Sequence, residues 1–298
     1  LGFDWHSSGV TTTVCGALKE GIKGIERELG LFVAGGKGGA SRQTPLEIQK
    51  VGDLISLEVE PLIYASKMAA KVDNNALQDG YQLYHHCFIF TKDGSWCVVQ
   101  QGMNDQTHYA RRYHWLSTQV KDFVCEPHSA ICCDLKGKPL NMVAEESEQA
   151  RLVSTQLSHQ KPEILTRELK KIQNLVLPER HPVLIKDIHP DRLEKIFLKT
   201  YEQQPENFEQ LLGLQGVGPK TIRALSLIAE LVYGAKPSFR DPARFSFAHG
   251  GKDGYPYPVN RAGYDRSIEI LRKAISSAKI GRQDQMEALR RLARFTGE

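Results

Sequence analysis

The stretch YQLYHHCFIFTKDGSWCVVQQGM (residues 81–103) is two β-rich runs joined at Asp93-Gly94. Aromatic and β-branched residues on either side of an Asp-Gly step read as an antiparallel hairpin. Working outward, LEIQKVGDLI (46–55) and EPLIYASKMAAKVDNNAL (60–77) carry apolar residues at helical spacing. So does GVTTTVCGALKEGIKGIERELG (9–30), with Ser7-Ser8 as caps. Between them LFVAGGKGGASRQTP (31–45) lacks the spacing of a phosphate-binding P-loop and reads as a flexible basic loop with Lys37 and Arg42. Beyond the hairpin come the polar, His-rich NDQTHYARRYHWLS (104–117), short strands to about 143, and a helix from Ala144 to about Gln160.

The second half has a different texture. Pro178, Pro182 and Pro190 punctuate a connector, and 191–203, 207–214 and 219–234 follow as helices in quick succession. PSFRDPARFSFAHGGKDGYPYPV (237–259) has no periodicity, and a loop that long is functional or unusually well tied down. Helices over 265–280 and 284–295 close the chain. The expected fold class is α+β: a mixed domain with an antiparallel hairpin over 1–160, then an all-helical domain over 161–298.

Composition narrows the function classes. With 41% apolar and 25% charged residues in 298, the chain can bury a core. No apolar run is long enough to span a bilayer and no leader is visible, so a cytoplasmic location with no membrane partner is expected. The net charge of +4 is uneven: residues 151–298 hold 25 Lys+Arg against 17 Asp+Glu, the first 150 hold 14 against 18. A basic second half suits a polyanion. Six cysteines without framework spacing read as reduced thiols. Cys125, His128, Cys132 and Cys133 crowd into CEPHSAICC, but vicinal cysteines chelate poorly, so neither zinc nor an iron–sulfur cluster is expected.

LLGLQGVGPKTIRALSLIAELVYG (211–234) holds two apolar helical patterns split by Gly216-Val217-Gly218. A turn this short brings two helices together and leaves amides at the start of the second without internal partners. Those donors and the helix dipole favour a phosphate there, and Pro219 at the first helical position costs nothing. The stretch resembles the helix-hairpin-helix motif of DNA-repair and recombination proteins. That resemblance implies a sequence-independent grip on DNA, or on RNA, by Gly216, Gly218, Lys220, Thr221 and Arg223, in some relatives through a monovalent cation. In the glycosylase branch of those proteins a lysine matching Lys220 attacks the sugar and an aspartate assists. Asp241, 21 residues on, is the candidate here, at a spacing slightly longer than that pattern.

The first half carries its own chemistry. Asp4-Trp5-His6, Asp73, Asp79, His85-His86, Gln100, Gln101, Asn104, Asp105, His108, Arg111, Arg112 and His114 crowd into strongly structured segments. On a strand His85 and His86 face opposite sides. Carboxylates and imidazoles at strand ends suit a divalent-metal phosphodiesterase, with Mg or Mn as the cofactor. Asp79, His86 and Asp105 are the candidate catalytic residues, Asp79 and His86 the candidate metal ligands, and Arg111 and Arg112 candidate phosphate holders.

Segments GFDWHSSGVTTTV, LFVAGGKGGASRQTP, KVDNNALQDGYQLYHH, QQGMNDQTHYARRYHWLS, EPHSAI, GVGPKT and FSFAHGGKDGYPYPV resemble, nearly end to end, the archaeal and bacterial proteins grouped as domain of unknown function 763. Those proteins have further residues before LGFDWH, so with Leu1 first the chain is expected to lack part of its N-terminal domain. The family supplies no activity, so the residues must carry the argument. They favour a DNA-processing enzyme cleaving phosphodiesters with a metal. Base excision through Lys220 and Asp241, and a non-catalytic nucleic-acid-binding module, stand as alternatives.

Overall fold

The computed structural model describes residues 8–133, 135–173, 188–244, 251–252, 255–256, 261–278 and 280–296. Chain contacts group into two units, 31–245 and 1–30 with 246–298, rather than dividing near residue 160. The smaller unit holds helices α1 (Ser8–Gly21) and α2 (Glu26–Leu29) and, at the other end of the chain, α11 (Arg261–Ser277) packed against α12 (Arg282–Thr296). Asp4-Trp5-His6 and much of 245–260 lie outside the described residues.

The larger unit is built on an antiparallel sheet of β1 (Leu31–Lys37), β3 (Gln82–Thr91), β4 (Trp96–Met103), β5 (Ala110–Leu116) and β6 (Ala130–Cys132), in the spatial order β1-β3-β4-β5-β6. The hairpin at Asp93-Gly94 is its centre: Gly94 takes φ 81°, and the Thr91 amide closes the turn on the Ser95 carbonyl at 3.0 Å. The glycine-rich 31–45 segment is not a loop. Its first seven residues are β1, paired residue for residue with β3. Gly35 makes this possible, because at φ +88° it lies against the β3 backbone, where an added Cβ would stand 2.2 Å from the His86 carbonyl oxygen.

Helices α3 (Gly39–Arg42), α4 (Thr44–Ile55) and α5 (Glu60–Lys71) follow β1, and α5 buries Leu62, Ala65, Met68 and Ala69. It runs into a π-helical turn, Val72–Ala76, whose wider winding carries Asp73 and Asn75 to buried positions. Strand β2 (Leu77–Gln78) then pairs with β7 (Leu140–Asn141).

On either side of the boundary expected at 160, α6 (Glu148–Ser158) and α7 (Pro162–Gln173) both pack on α10 (Pro219–Tyr233). Helices α8 (Pro190–Gln203) and α9 (Phe208–Gly213) join the same layer. Ile222, Ala224, Leu225, Leu227, Ile228 and Ala229 of α10 enter a core shared with Phe88 and Trp115 of the sheet. The Lys71 ammonium ties the two halves further by donating to the Leu214 carbonyl at 2.7 Å and the Val217 carbonyl at 3.3 Å. Sheet and helices are thus one body. No helix among the described residues is long and apolar enough to cross a membrane.

Candidate functional site

The α9–α10 turn forms as its glycines suggested, but the two differ in role. Gly216 sits at φ +95°, and an added Cβ would meet the Ile196 side chain at 2.9 Å. Gly218 precedes α10 at φ −129°, with nothing nearer to an added Cβ than the Gly216 carbonyl at 4.0 Å. Its carbonyl takes the Thr221 and Ile222 amides, both at 3.1 Å. Lys220 is exposed, whereas Thr221 is buried and Arg223 donates through Nε to Gln78 at 2.9 Å. Gln78 in turn donates to the Pro219 and Asn75 carbonyls at 2.8 Å.

Beside this turn opens a cleft of about 740 Å³. Its lining includes Arg42, Lys67, Asn75, Pro219 and Arg223, together with Ser66 of α5 and His86 and Gln100 of the sheet. His86 turns its ring toward α5. Its Nε2 lies 2.8 Å from Ser66 Oγ and its Nδ1 lies 2.8 Å from Gln100 Oε1. Gln100 Nε2 donates to Asp73 Oδ2 at 2.5 Å and reaches the Ala69 carbonyl at 3.3 Å. Asp73 also accepts from Trp115 Nε1 at 3.0 Å and pairs with His128 Nε2 at 2.5 Å. Burial is the main force on His86, pushing its pKa below the ordinary imidazole value against the Gln100 hydrogen bond, so the ring is held neutral.

A second buried group stands behind the cleft. Arg111 donates to Asp79 at 3.0 Å and in a fork to Asp241 at 3.1 and 2.8 Å, with the Tyr81 ring 4.5 Å away. Tyr113 adds a hydrogen bond to Asp79 at 2.7 Å, and the Gly137 and Ala243 amides hold Asp241 at 2.7 and 2.9 Å. Burial pushes the Asp79 carboxyl up to about 6, against the pull of Arg111, Tyr113 and the Tyr81 amide. Asp241 is also partly buried, yet Arg111 and the two amides outweigh that and hold it below 3.8. Carboxyl ¹³C shifts followed against pH should therefore show Asp79 titrating near pH 6 while Asp241 titrates below the ordinary aspartate value.

These positions redraw several expectations. Asp79 and His86 both line the cleft, but every oxygen of Asp79 and both nitrogens of His86 already have protein partners, so they do not form a ready ligand set for a divalent ion. Asp105 is exposed on the β4–β5 turn, which Asn104 organises by accepting from the Gln106 and Thr107 amides, and it does not line the cleft. Asp241 is committed to Arg111, so Lys220 is left without the assisting carboxylate of the base-excision scheme. Arg111 is spent inside the protein, and Arg112 donates to Gln101 at 3.2 Å, so neither offers a phosphate its guanidinium. Of the CEPHSAICC donors, His128 serves Asp73 and Cys133 Sγ meets the Tyr81 hydroxyl at 3.1 Å. The long 237–259 segment is pinned over 238–244: Ser238 bonds Ser147, Glu146 and Asn141, and Arg244 bonds Ile131 and Cys133.

Sequence reasoning missed Ser66. Its signal was a hydroxyl on the face of α5 that is otherwise apolar, between Ala65 and Ala69 one turn on.

No curated protein and no solved structure matches the chain. A family model described as "Protein of unknown function (DUF763)" matches residues 1–259, and the chain belongs to that family.

Proposed function

We propose that the protein binds a nucleic-acid backbone at the α9–α10 turn and cleaves a phosphodiester in the adjoining cleft. One observation carries this reading: a single cleft is lined by the start of α10 and by the hydrogen-bonded pair Ser66 and His86. The turn resembles the helix-hairpin-helix pattern, and the dipole at the start of α10 favours a phosphate oxygen. Arg42, Lys67 and Arg223 line the same cleft and supply positive charge for a polyanion. DNA is the favoured substrate and RNA the runner-up. The pair, rather than a metal held by Asp79, is placed to move the proton.

Gly218 makes the binding half testable. Neither its φ nor its packing requires glycine, so apart from capping α10 the bare backbone at this position leaves room for close approach by a ligand. Gly216→Ala should cost about 1–2 kcal/mol of stability from backbone strain and the Ile196 clash. Gly218→Ala should cost about 1 kcal/mol or less, the price of a poorer helix cap. In fluorescence anisotropy with labelled duplex and single-stranded DNA, binding should weaken steeply with salt, and Gly218→Val should weaken it at least tenfold while the protein stays folded. Binding unchanged in Gly218→Val would remove the turn from the interface.

A further inference from the structure

Deepening the reading above, and resting on it for the identity of the substrate, we infer that Ser66 is a nucleophile, His86 its general base, and Gln100 with Asp73 the pair that orients the base. Gln100 faces two acceptors, the Asp73 carboxylate and the Ala69 carbonyl, and only an NH2 group can serve both. Its oxygen therefore faces His86, so His86 Nδ1 carries the hydrogen. With Nδ1 protonated in a neutral ring, Nε2 offers a lone pair, and the Ser66 hydroxyl donates to it at 2.8 Å. The orientation of each group follows from the one before it.

Two features set this array apart from an ordinary buried network. Ser66 has no hydrogen bond to its own helix among the described residues; its hydroxyl is spent on the imidazole, although a helical serine commonly bonds the carbonyl one turn back. Ser66, His86, Gln100 and Asp73 are 2%, 5%, 0% and 0% exposed, a costly set of polar groups in a core, yet the first three line the cleft. A nucleophile within hydrogen-bond reach of a base that a third group orients is the general arrangement of covalent catalysis.

Water is the second reactant. As Ser66 Oγ forms its bond to phosphorus, its proton passes to His86 Nε2. The phosphorus–oxygen bond to the leaving strand breaks in line, on the far side of phosphorus, and the leaving oxygen takes a proton from solvent water. Water then attacks phosphorus of the serine-bound phosphodiester from that far side and gives a proton to solvent, the phosphorus–Oγ bond breaks, and His86 returns its proton to Ser66 Oγ. The net reaction consumes one phosphodiester and one water and yields a phosphomonoester and an alcohol.

The test separates the nucleophile from the substrate. The full-length protein is treated with diisopropyl fluorophosphate, whose phosphorus forms a bond to an activated serine as fluoride leaves, and the adduct is located by peptide mass spectrometry. Labelling is expected on Ser66 ahead of every other serine. It should be absent in Ser66→Ala and slower by about 10²–10⁴-fold in His86→Gln. Circular dichroism would establish that both variants are folded. Because His86→Gln could disturb the core, Ser66→Cys gives a second route: its thiol should react with iodoacetamide at a rate that falls with acid as His86 protonates. Folded wild-type protein labelled no faster at Ser66 than at other serines would overturn the assignment. Labelling at Ser66 in a protein that cleaves no nucleic acid would keep the nucleophile and discard the phosphodiester.

Discussion

Arg111→Met should destabilise the protein by about 3–5 kcal/mol, measured as a shift in urea-unfolding free energy. The guanidinium is 1% exposed and sits between two carboxylates whose side chains are 1% and 4% exposed. Removing it leaves both acids buried without their counter-charge, and the hydrogen bonds from Tyr113, Gly137 and Ala243 are too few to solvate them. Without Arg111 both carboxyls would have raised pKa values in the fold, so the deficit should be largest at neutral pH and shrink toward acid as the two groups protonate. Arg111→Lys should recover part of the loss, since it restores charge but not the fork to Asp241. A deficit that stayed constant from pH 4 to pH 8 would mean the buried triad does not carry this stability.

The second large effect is on activity. His86→Gln should lower single-turnover cleavage of nucleic acid by about 10²–10⁴-fold, the usual worth of a positioned general base. Gln100→Leu should lower it less, because His86 stays present but its tautomer is no longer enforced. Since burial holds the His86 pKa below 6.5, the acid limb of the pH–rate profile should lie below that value. Binding should be little changed in both variants, as neither residue belongs to the α9–α10 turn.

Much of the fold could be read from local pattern. The hairpin at Asp93-Gly94 and the helices α4, α5 and α10 announce themselves by turn chemistry and by apolar spacing, both of which act over a few residues. What escaped was non-local. The glycines of 35–39 look like a loop by composition, and only the pairing of β1 with β3 explains why a Cβ is excluded at Gly35. Likewise a boundary at 160 follows from the change of texture, but α10 buries its apolar face against α6 and α7 from both sides of that point.

The site shows the same division. The sequence pointed to His86, Asp73, Asp79 and Asp241 as chemically loaded, yet gave no means of pairing them. Asp79 and Asp241, 162 positions apart and assigned to rival mechanisms, meet on the same guanidinium. Ser66 stayed hidden because its partner His86 comes from a different element, 20 residues on. Titratable residues draw attention in a sequence, whereas a nucleophile is an ordinary serine until a base is brought to it.

The most direct measurement is single-turnover cleavage of end-labelled single-stranded and duplex DNA by the full-length protein and by Ser66→Ala, each in EDTA and in Mg²⁺ or Mn²⁺. Cleavage by the wild-type protein should survive EDTA and be lost in Ser66→Ala. Cleavage that disappears in EDTA yet persists in Ser66→Ala would contradict this expectation and return the chemistry to a metal ion.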